Sequence, residues 1–377
     1  MKVMIVVTHL LGTGHLSRAL TLARAFREGG HAVRVVSGGM PVAHLDDPDL
    51  PLTQLPPVRS DGVDFARLLD ETGTAVSDTF LSARQDALLS AFRDMQPDVL
   101  ITELFPFGRR ILRQEFRALL ETARAVPHPP LVCASIRDIL APPSKPKKAE
   151  FAEETIEAFY DAVLVHADPG ITPLDLSWPV SDALKARLRY TGFVAPAPAD
   201  AHPRRDGLRE VIVSAGGGDV GAEIFATALA SAARDKGRKW RLLLGGADAA
   251  SRAAAMSPPA NATVEPARPD FRQMLHHAAA SISMCGYNTA LDLLQTGCPA
   301  VLIPFDAGSE VEQGLRANAL AERPGFAVLR SADLTAAAML QALDEVTRGP
   351  RPAPLRDGLD GATRTVEIVT SMLEDRP

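Results

Sequence analysis

Short apolar runs alternate with amphipathic stretches along almost the whole 377-residue chain, and this alternation restricts the fold more than any other feature. In the first half the runs are "KVMIVVT", "HAVRVVS", "PDVLIT", "PLVCAS" and "AVLVHA"; in the second they are "EVIVSA", "WRLLL", "ATVEP", "ASISM" and "PAVLIPF". Strands this apolar lie between layers of helix, so the pattern predicts an α/β fold with parallel sheets covered on both faces. Helical patterning fills the gaps. "HLSRALTLARAFREGG" ends on a Gly pair that suits a helix C-terminus. Helix is also expected from about Phe65 to Met95, Arg109 to Ala125, near Phe151 to Tyr160, from about Ala222 to Asp235, near Phe271 to Ala278, and from Thr289 to Gln295. Two more helical stretches close the chain.

A chain of this length exceeds one ordinary hydrophobic core. The stretch "VAPAPADAHPRRD" interrupts the alternation and reads as a semi-rigid linker. The expected organisation is a first domain over 1–195, a linker over 196–208 and a second domain over 209–377. Two Rossmann-like domains would then face a cleft, the usual place for a ligand. A net charge of −6 speaks against nucleic acid as a partner, since phosphate binding needs a concentrated basic face. Cys133, Cys285 and Cys298 lack metal spacing and read as reduced intracellular thiols. With no signal-like segment and no long apolar run, a cytoplasmic location is expected. The segment "APPSKPKKAE" reads as a loop whose Lys145, Lys147 and Lys148 are either simply solvated or meet an anionic lipid surface at the inner face of the membrane.

Three loops at predicted strand ends carry the chemistry. In "LLGTGHLSRAL", Gly12 and Gly14 permit a tight turn and His15 begins the next helix. A histidine there either caps the helix or takes a proton from a hydroxyl, its unperturbed pKa lying near neutrality. Ser17 stands where a G-x-G-x-x-G fingerprint has its third glycine, and no acid ends the second strand, so nicotinamide dinucleotide binding is not indicated. In "SAGGGDVGAE", Gly216, Gly217 and Gly218 let backbone N–H groups approach a diphosphate beside a helix N-terminus. In "SMCGYNTALD", Gly286, Asn288 and Thr289 occupy a strand-to-helix turn with the same anion-binding character, and Asp292 lies one turn on. Asp292 is either an acceptor for ribose hydroxyls or a solvated helix charge. Glu312 and Gln313 open a later helix, as sugar contacts or as ordinary dipole partners. Glu103 ends "PDVLIT" and either orients His15 or pairs with Arg109 or Arg110; Arg137 and Asp138 follow "PLVCAS", as acceptor contacts or as an ion pair. The "DPD" at Asp47–Asp49 reads as a turn, and no metal or cofactor is expected.

Taken together, "CGYNTALD", then "GCPAVLIPF", then "EQ…RA" resemble the B-type glycosyltransferases, most of all family 28, which contains the bacterial N-acetylglucosaminyltransferase of peptidoglycan-precursor synthesis. The resemblance implies a nucleotide-diphosphate sugar, a UDP-sugar by the family pattern, bound by Gly216–Gly218, Gly286, Asn288, Thr289 and Asp292. It implies Glu312 and Gln313 at the donor sugar, and backbone groups of Arg268 or Phe271, in "ARPDFRQML", at the base. The family's usual Glu is here the shorter Asp292. His15, with Gly12, Gly14 and Arg137, falls on the acceptor side. The implied activity is metal-independent transfer, with inversion, to the hydroxyl of a sugar, lipid-linked or small-molecule acceptor. The first loop lacks the family's longer "GTGGH" form and also resembles that of a nucleotide-sugar hydrolase. Hydrolysis and non-catalytic nucleotide-sugar binding are the alternatives.

Overall fold

The computed structural model describes residues 1–60, 67–216, 221–306 and 310–376. They form two compact units, Met1–Val194 with Gly358–Pro377, and Ala195–Asp357.

In the first unit the strands are β1 (Lys2–Val7), β2 (Ala32–Ser37), β3 (Leu52–Gln54), β4 (Arg59–Ser60), β5 (Leu68–Leu69), β6 (Val99–Glu103), β7 (Leu131–Arg137), β8 (Ala162–His166) and β9 (Leu188–Tyr190). The helices are α1 (Gly14–Glu28), α2 (Asp78–Met95), α3 (Arg113–Ala125), α4 (Pro146–Phe159) and α5 (Asp182–Arg187). Seven strands make one sheet in the order β3-β2-β1-β6-β7-β8-β9, while β4 and β5 pair separately. The seven-stranded sheet is parallel throughout. Its apolar strands are the source of the core: Val3, Ile5, Val99, Ile101 and Leu164 are sealed from solvent in one cluster with Leu16, Leu20, Ala23 and Phe26 of α1.

The second unit contains β10 (Glu210–Ser214), α6 (Ala222–Arg234), β11 (Lys239–Leu244), α7 (Ala249–Ala255), β12 (Ala262–Pro266), α8 (Phe271–Leu275), β13 (Ala280–Ser283), α9 (Tyr287–Thr296), β14 (Ala300–Leu302), α10 (Glu312–Ala321), β15 (Phe326–Val328) and α11 (Ala336–Arg348). Its six strands run β12-β11-β10-β13-β14-β15, all parallel. In each sheet the chain works outward in one direction from its first strand and then in the other. The switch falls between β1 and β6 in one and between β10 and β13 in the other, where an open α/β sheet offers a ligand crevice beyond its carboxyl edge.

The division differs from the one expected at both of its boundaries. The last helix, α12 (Gly361–Glu374), returns to the first unit. Phe193 N–H donates to the Gly358 carbonyl at 2.7 Å and Gly361 N–H to the Phe193 carbonyl at 3.0 Å. A Cβ on Gly361 would lie 2.5 Å from the Gly192 carbonyl oxygen, so only glycine permits this approach. The Pro/Ala-rich stretch after Val194 belongs to the second unit. Its carbonyls at Pro196, Ala197 and Ala199 accept bonds from Gln295, Arg272 and His276. Proline and alanine there signalled a lack of regular structure, not a lack of packing.

Two helix starts also differ. α2 begins at Asp78, where Ser77 accepts the Phe80 N–H at 3.2 Å, and part of the helical pattern from Phe65 falls outside the described residues. α4 begins inside the expected loop because Pro146 sits in its first turn, where a missing N–H costs nothing. Asp47–Asp49 form a turn, with the Asp49 N–H donating to Asp47 Oδ1 at 3.1 Å. All three cysteines are buried and none is in a disulfide. No helix among the described residues is long and apolar enough to cross a membrane.

Arg84 of α2 gathers the carboxyl edge of the first sheet. It is fully buried; its guanidinium donates to Glu115 of α3 at 2.7 and 3.2 Å, to the Gly38 carbonyl at 2.8 Å, to the Pro56 carbonyl at 2.5 Å and to Thr8 Oγ1 at 3.0 Å. Burial raises the Glu115 carboxyl, and Arg84 opposes that rise. Removing one partner of such a pair leaves an uncompensated buried charge. Arg84→Met is therefore expected to lose about 3–5 kcal/mol in denaturant unfolding. The double variant Arg84→Met/Glu115→Leu should regain much of that loss, since a buried ion pair is nearly exchangeable with packed apolar groups.

Candidate active site

β1 delivers Thr8–Thr13 to the first switch point, and α1 starts immediately after. Gly12 adopts φ 50°, and a Cβ on Gly12 or Gly14 would meet nothing within 4 Å, so the loop borders open space. His15 lies in the first turn of α1, facing the end of β6. Its Nδ1 is 2.8 Å from Glu103 Oε1. The Arg18 guanidinium, one turn further along α1, donates to the same carboxylate oxygen and lies 3.1 Å from Nδ1. Glu103 Oε2 accepts the Ser135 hydroxyl at 2.6 Å.

The electrostatics follow from burial and pairing. Glu103 is 1% exposed. Burial alone would raise its pKa, but the charge of Arg18 and the bond from His15 hold it well below the usual carboxylate range. An ionised carboxylate only accepts, so the proton between the two residues resides on His15 Nδ1. The other ring nitrogen, Nε2, then carries a lone pair. Burial lowers the His15 pKa to about 4, against the opposing pull of Glu103. At neutral pH the imidazole is thus uncharged and able to accept a proton. Of the three partners open to Glu103, the structure realises His15. Arg109 donates instead to the Thr8 carbonyl and Arg110 to the Phe107 carbonyl. Arg137 ends β7, and its Nε donates to the Ile139 carbonyl at 3.0 Å. Arg18 and Ser135 escaped the sequence reading: Arg18 resembles any helix-surface arginine, and Ser135 is a small polar residue inside an apolar run.

In the second unit, β10 and β13 deliver their loops to the other switch point. Gly216 has φ 79°, and a Cβ on Gly216 or Gly286 would meet nothing within 4 Å. Gly217 and Gly218 lie outside the described residues. Gly286 is the N-cap of α9, and the first helical bond runs from Ala290 N–H to the Gly286 carbonyl at 2.9 Å. The amides of Asn288 and Thr289 precede it, at the positive end of the helix. Arg316, from the "EQ…RA" motif, is buried and fixes this turn from below. It donates to the Cys285 carbonyl at 3.0 Å and lies over the Tyr287 ring, 5.8 Å from its centroid.

Asp292 is nearly buried and is not a solvated helix charge. Its Oδ1 accepts Arg272 Nε at 2.6 Å, and Arg272 Nη2 reaches Gln295 Oε1 at 2.7 Å and the Ala197 carbonyl at 2.8 Å. Burial raises the Asp292 pKa and Arg272 opposes it. Glu312 and Gln313 do open α10, yet the carboxylate that caps them belongs to Glu310, which accepts the Glu312 and Gln313 amides at 2.7 and 3.3 Å. Gln313 Oε1 accepts the Phe305 N–H at 3.1 Å. Phe271 N–H is spent on the Arg268 carbonyl at 3.2 Å, so these two groups close on each other.

Among the described residues His202, Asp206 and Asp270 form the one cluster with a metal-ligand composition. The Arg268 guanidinium occupies the place a cation would take, donating to Asp206 at 2.8 Å and to Asp270 at 2.6 and 2.8 Å. Both His202 nitrogens are engaged, one by the Asp206 N–H and one by the Asp270 carboxylate.

Two doubly wound sheets, each presenting glycine loops at its switch point, define the B-type glycosyltransferase fold. Residues 212–357 match the glycosyltransferase family 28 C-terminal domain. The chain resembles MurG of Acinetobacter baumannii, at 16% identity over 98% of this chain and 99% of that one, with a TM-score of 0.64. It also resembles the glycosyltransferase of kitacinnamycin, at 16% identity over 100% and 99%, TM-score 0.66. The glycosyltransferase VinC, solved with dTDP, aligns at 14% identity over 100% and 96%, TM-score 0.62. No curated protein matches the chain by sequence. The protein is a glycosyltransferase of the B-type fold, related to family 28 through its second unit.

The depressed His15 pKa has a thermodynamic signature. Unfolded, the ring binds a proton below about pH 6.5, whereas folded it stays neutral down to about 4. Over that window the unfolded state holds more protons, so stability falls as the pH drops. His15→Gln is expected to flatten the melting-temperature profile between pH 6.5 and 4, as measured by calorimetry.

Proposed function

We propose that the protein transfers a sugar from a nucleotide diphosphate, a UDP-sugar by the family resemblance, to an acceptor hydroxyl, with inversion and without a metal ion. The observation that carries this reading is the neutral His15 imidazole bonded to an ionised Glu103. His15 Nε2 removes the proton of the acceptor hydroxyl as its oxygen attacks the anomeric carbon. Glu103 stabilises the imidazolium that forms and keeps the ring in the useful tautomer. The bond from the anomeric carbon to the diphosphate oxygen breaks on the opposite face, which inverts the configuration. Backbone amides of the Gly216–Gly218 and Gly286–Thr289 loops receive the departing diphosphate, together with the N-terminus of α9. Fixed donors of this kind supply the charge stabilisation for which other transferases use a divalent ion. Asp292 receives ribose hydroxyls with its Oδ2, the oxygen opposite the Arg272 bond, and Glu312 and Gln313 contact the sugar. Arg137, Gly12 and Gly14 border the acceptor. Lys145, Lys147 and Lys148 provide a contact for an anionic membrane surface if the acceptor is lipid-linked.

VinC and a spinosyn rhamnosyltransferase are solved with thymidine diphosphate, so the two pyrimidine nucleotides are the ones to compare. UDP or dTDP is expected to raise the melting temperature in the presence of EDTA, and Asp292→Ala to abolish the rise. His15→Ala should keep nucleotide binding while lowering the transfer rate about 10²–10⁴-fold. A product with retained configuration, or a strict metal requirement, would overturn the mechanism. Turnover that releases free sugar with every acceptor offered would assign hydrolysis.

A further inference from the structure

Glu103 is the first member of a line of buried polar side chains that crosses four neighbouring strands at the carboxyl edge of the first sheet. Ser135 of β7 pairs in register with Glu103 of β6 and donates its hydroxyl to Oε2 at 2.6 Å. His166, the last residue of β8, places Nε2 3.0 Å from Ser135 Oγ. Thr191, immediately after β9, places Oγ1 2.8 Å from His166 Nδ1. Ser135 and His166 are fully buried and Thr191 is 3% exposed. Apolar side chains would fill these positions at no desolvation cost, whereas a buried polar line must be satisfied at every link.

The protons of the line can be counted. Glu103 is ionised and only accepts, so the single Ser135 proton points to Oε2. The remaining contact of Ser135 Oγ must then be a donated one, and the His166 Nε2–H supplies it. His166 Nδ1 is left with a lone pair, to which Thr191 gives its one hydroxyl proton at 2.8 Å in preference to the Gly192 carbonyl, an acceptor at the same distance. Every proton in the line is thereby directed toward Glu103.

We propose that Ser135 and His166 are positioning residues for the His15–Glu103 pair: through this line they fix the carboxylate's rotamer and so the proton on His15 Nδ1. No proton travels along it. The proposal rests on the reading of His15 as the base. The charged and titratable groups facing the pair are Arg18 from α1, Arg109 from the segment after β6, and His166 from β8. Burial, helped by the Arg18 charge, lowers the His166 pKa to about 3, so this ring stays neutral while His15 titrates.

The test is ¹⁵N NMR of the full-length chain labelled at histidine, for which no ligand is needed. In the wild type at pH 7, His15 should carry its proton on Nδ1 and His166 on Nε2. Ser135→Ala removes one donor from Glu103, leaving more negative charge for His15. The His15 titration midpoint should rise by about one pH unit. Thr191→Val, nearly isosteric and farther from the pair, removes the donor to His166 Nδ1 and should raise the His15 midpoint by a smaller step, which supplies the same readout if Ser135→Ala does not fold. A merely structural role would change the melting temperature and leave the His15 tautomer and midpoint in place; that result overturns the proposal, as does a His166 found with its proton on Nδ1 in the wild type. Failure of the base reading is distinguishable, because His15→Ala would then transfer sugar at the wild-type rate while the NMR shifts of Ser135→Ala persist.

Discussion

A carboxylate sealed inside a sheet is affordable only when both of its oxygens are answered, and Glu103 at the end of β6 is such a group. Arg18 and His15 answer it from α1, and Ser135 from β7. The pairing requires α1 to begin where it does, so the loop from Thr8 to Thr13 has no freedom to place His15 elsewhere. The strand order makes the encounter possible. β1 and β6 are neighbours because the order in which strands are added switches sides there, so residues 88 positions apart meet across one strand spacing. Arg84 performs a similar service behind them, tying Thr8, Gly38 and Pro56 to α2 and α3. The carboxyl edge of the first unit's sheet is therefore held by two buried guanidinium–carboxylate pairs and not by loop packing alone.

The second unit solves a different problem with a similar sheet. Its switch point presents backbone amides, and glycine at Gly216 and Gly286 leaves open space in front of them. The rigidity comes from elsewhere: Arg316 holds the Cys285 carbonyl from beneath, while Glu310 caps α10. Asp292 is bound into the same framework through Arg272, which also grips the backbone at Ala197. Any ligand that engages this carboxylate thus acts on a residue already joined to the first few residues of the unit.

The strands could be read because burial on both faces leaves an unbroken apolar run, and the loops because glycine clusters at strand ends have few other uses. The elements that were not read are short. β9 and β15 span three residues each, too few to show a period, and α7 is two turns of alanine-rich sequence. The course of the chain after Val194 was misjudged for another reason. The side chains that satisfy its carbonyls, Arg272, His276 and Gln295, lie roughly 75 to 100 positions further along, and no local pattern records such a bond. The return of α12 to the first unit was equally silent, since it depends on backbone contact between Gly192 and Gly358.

By itself the sequence determined the two parallel α/β sheets, the glycine loops at their carboxyl edges and the identity of the ionisable residues near them. These follow from local chemistry: hydrophobic period, glycine's conformational range, and the residue types able to hold a proton. Tertiary structure alone decided which of those residues act on one another. Glu103 had three candidate partners in the sequence, His15, Arg109 and Arg110, and strand order gave it His15. Asp292 read as solvated or ribose-binding, and packing gave it Arg272. The protonation of His15 was decided in the same way, because a pKa is set by burial and by the charges that folding brings within a few ångströms.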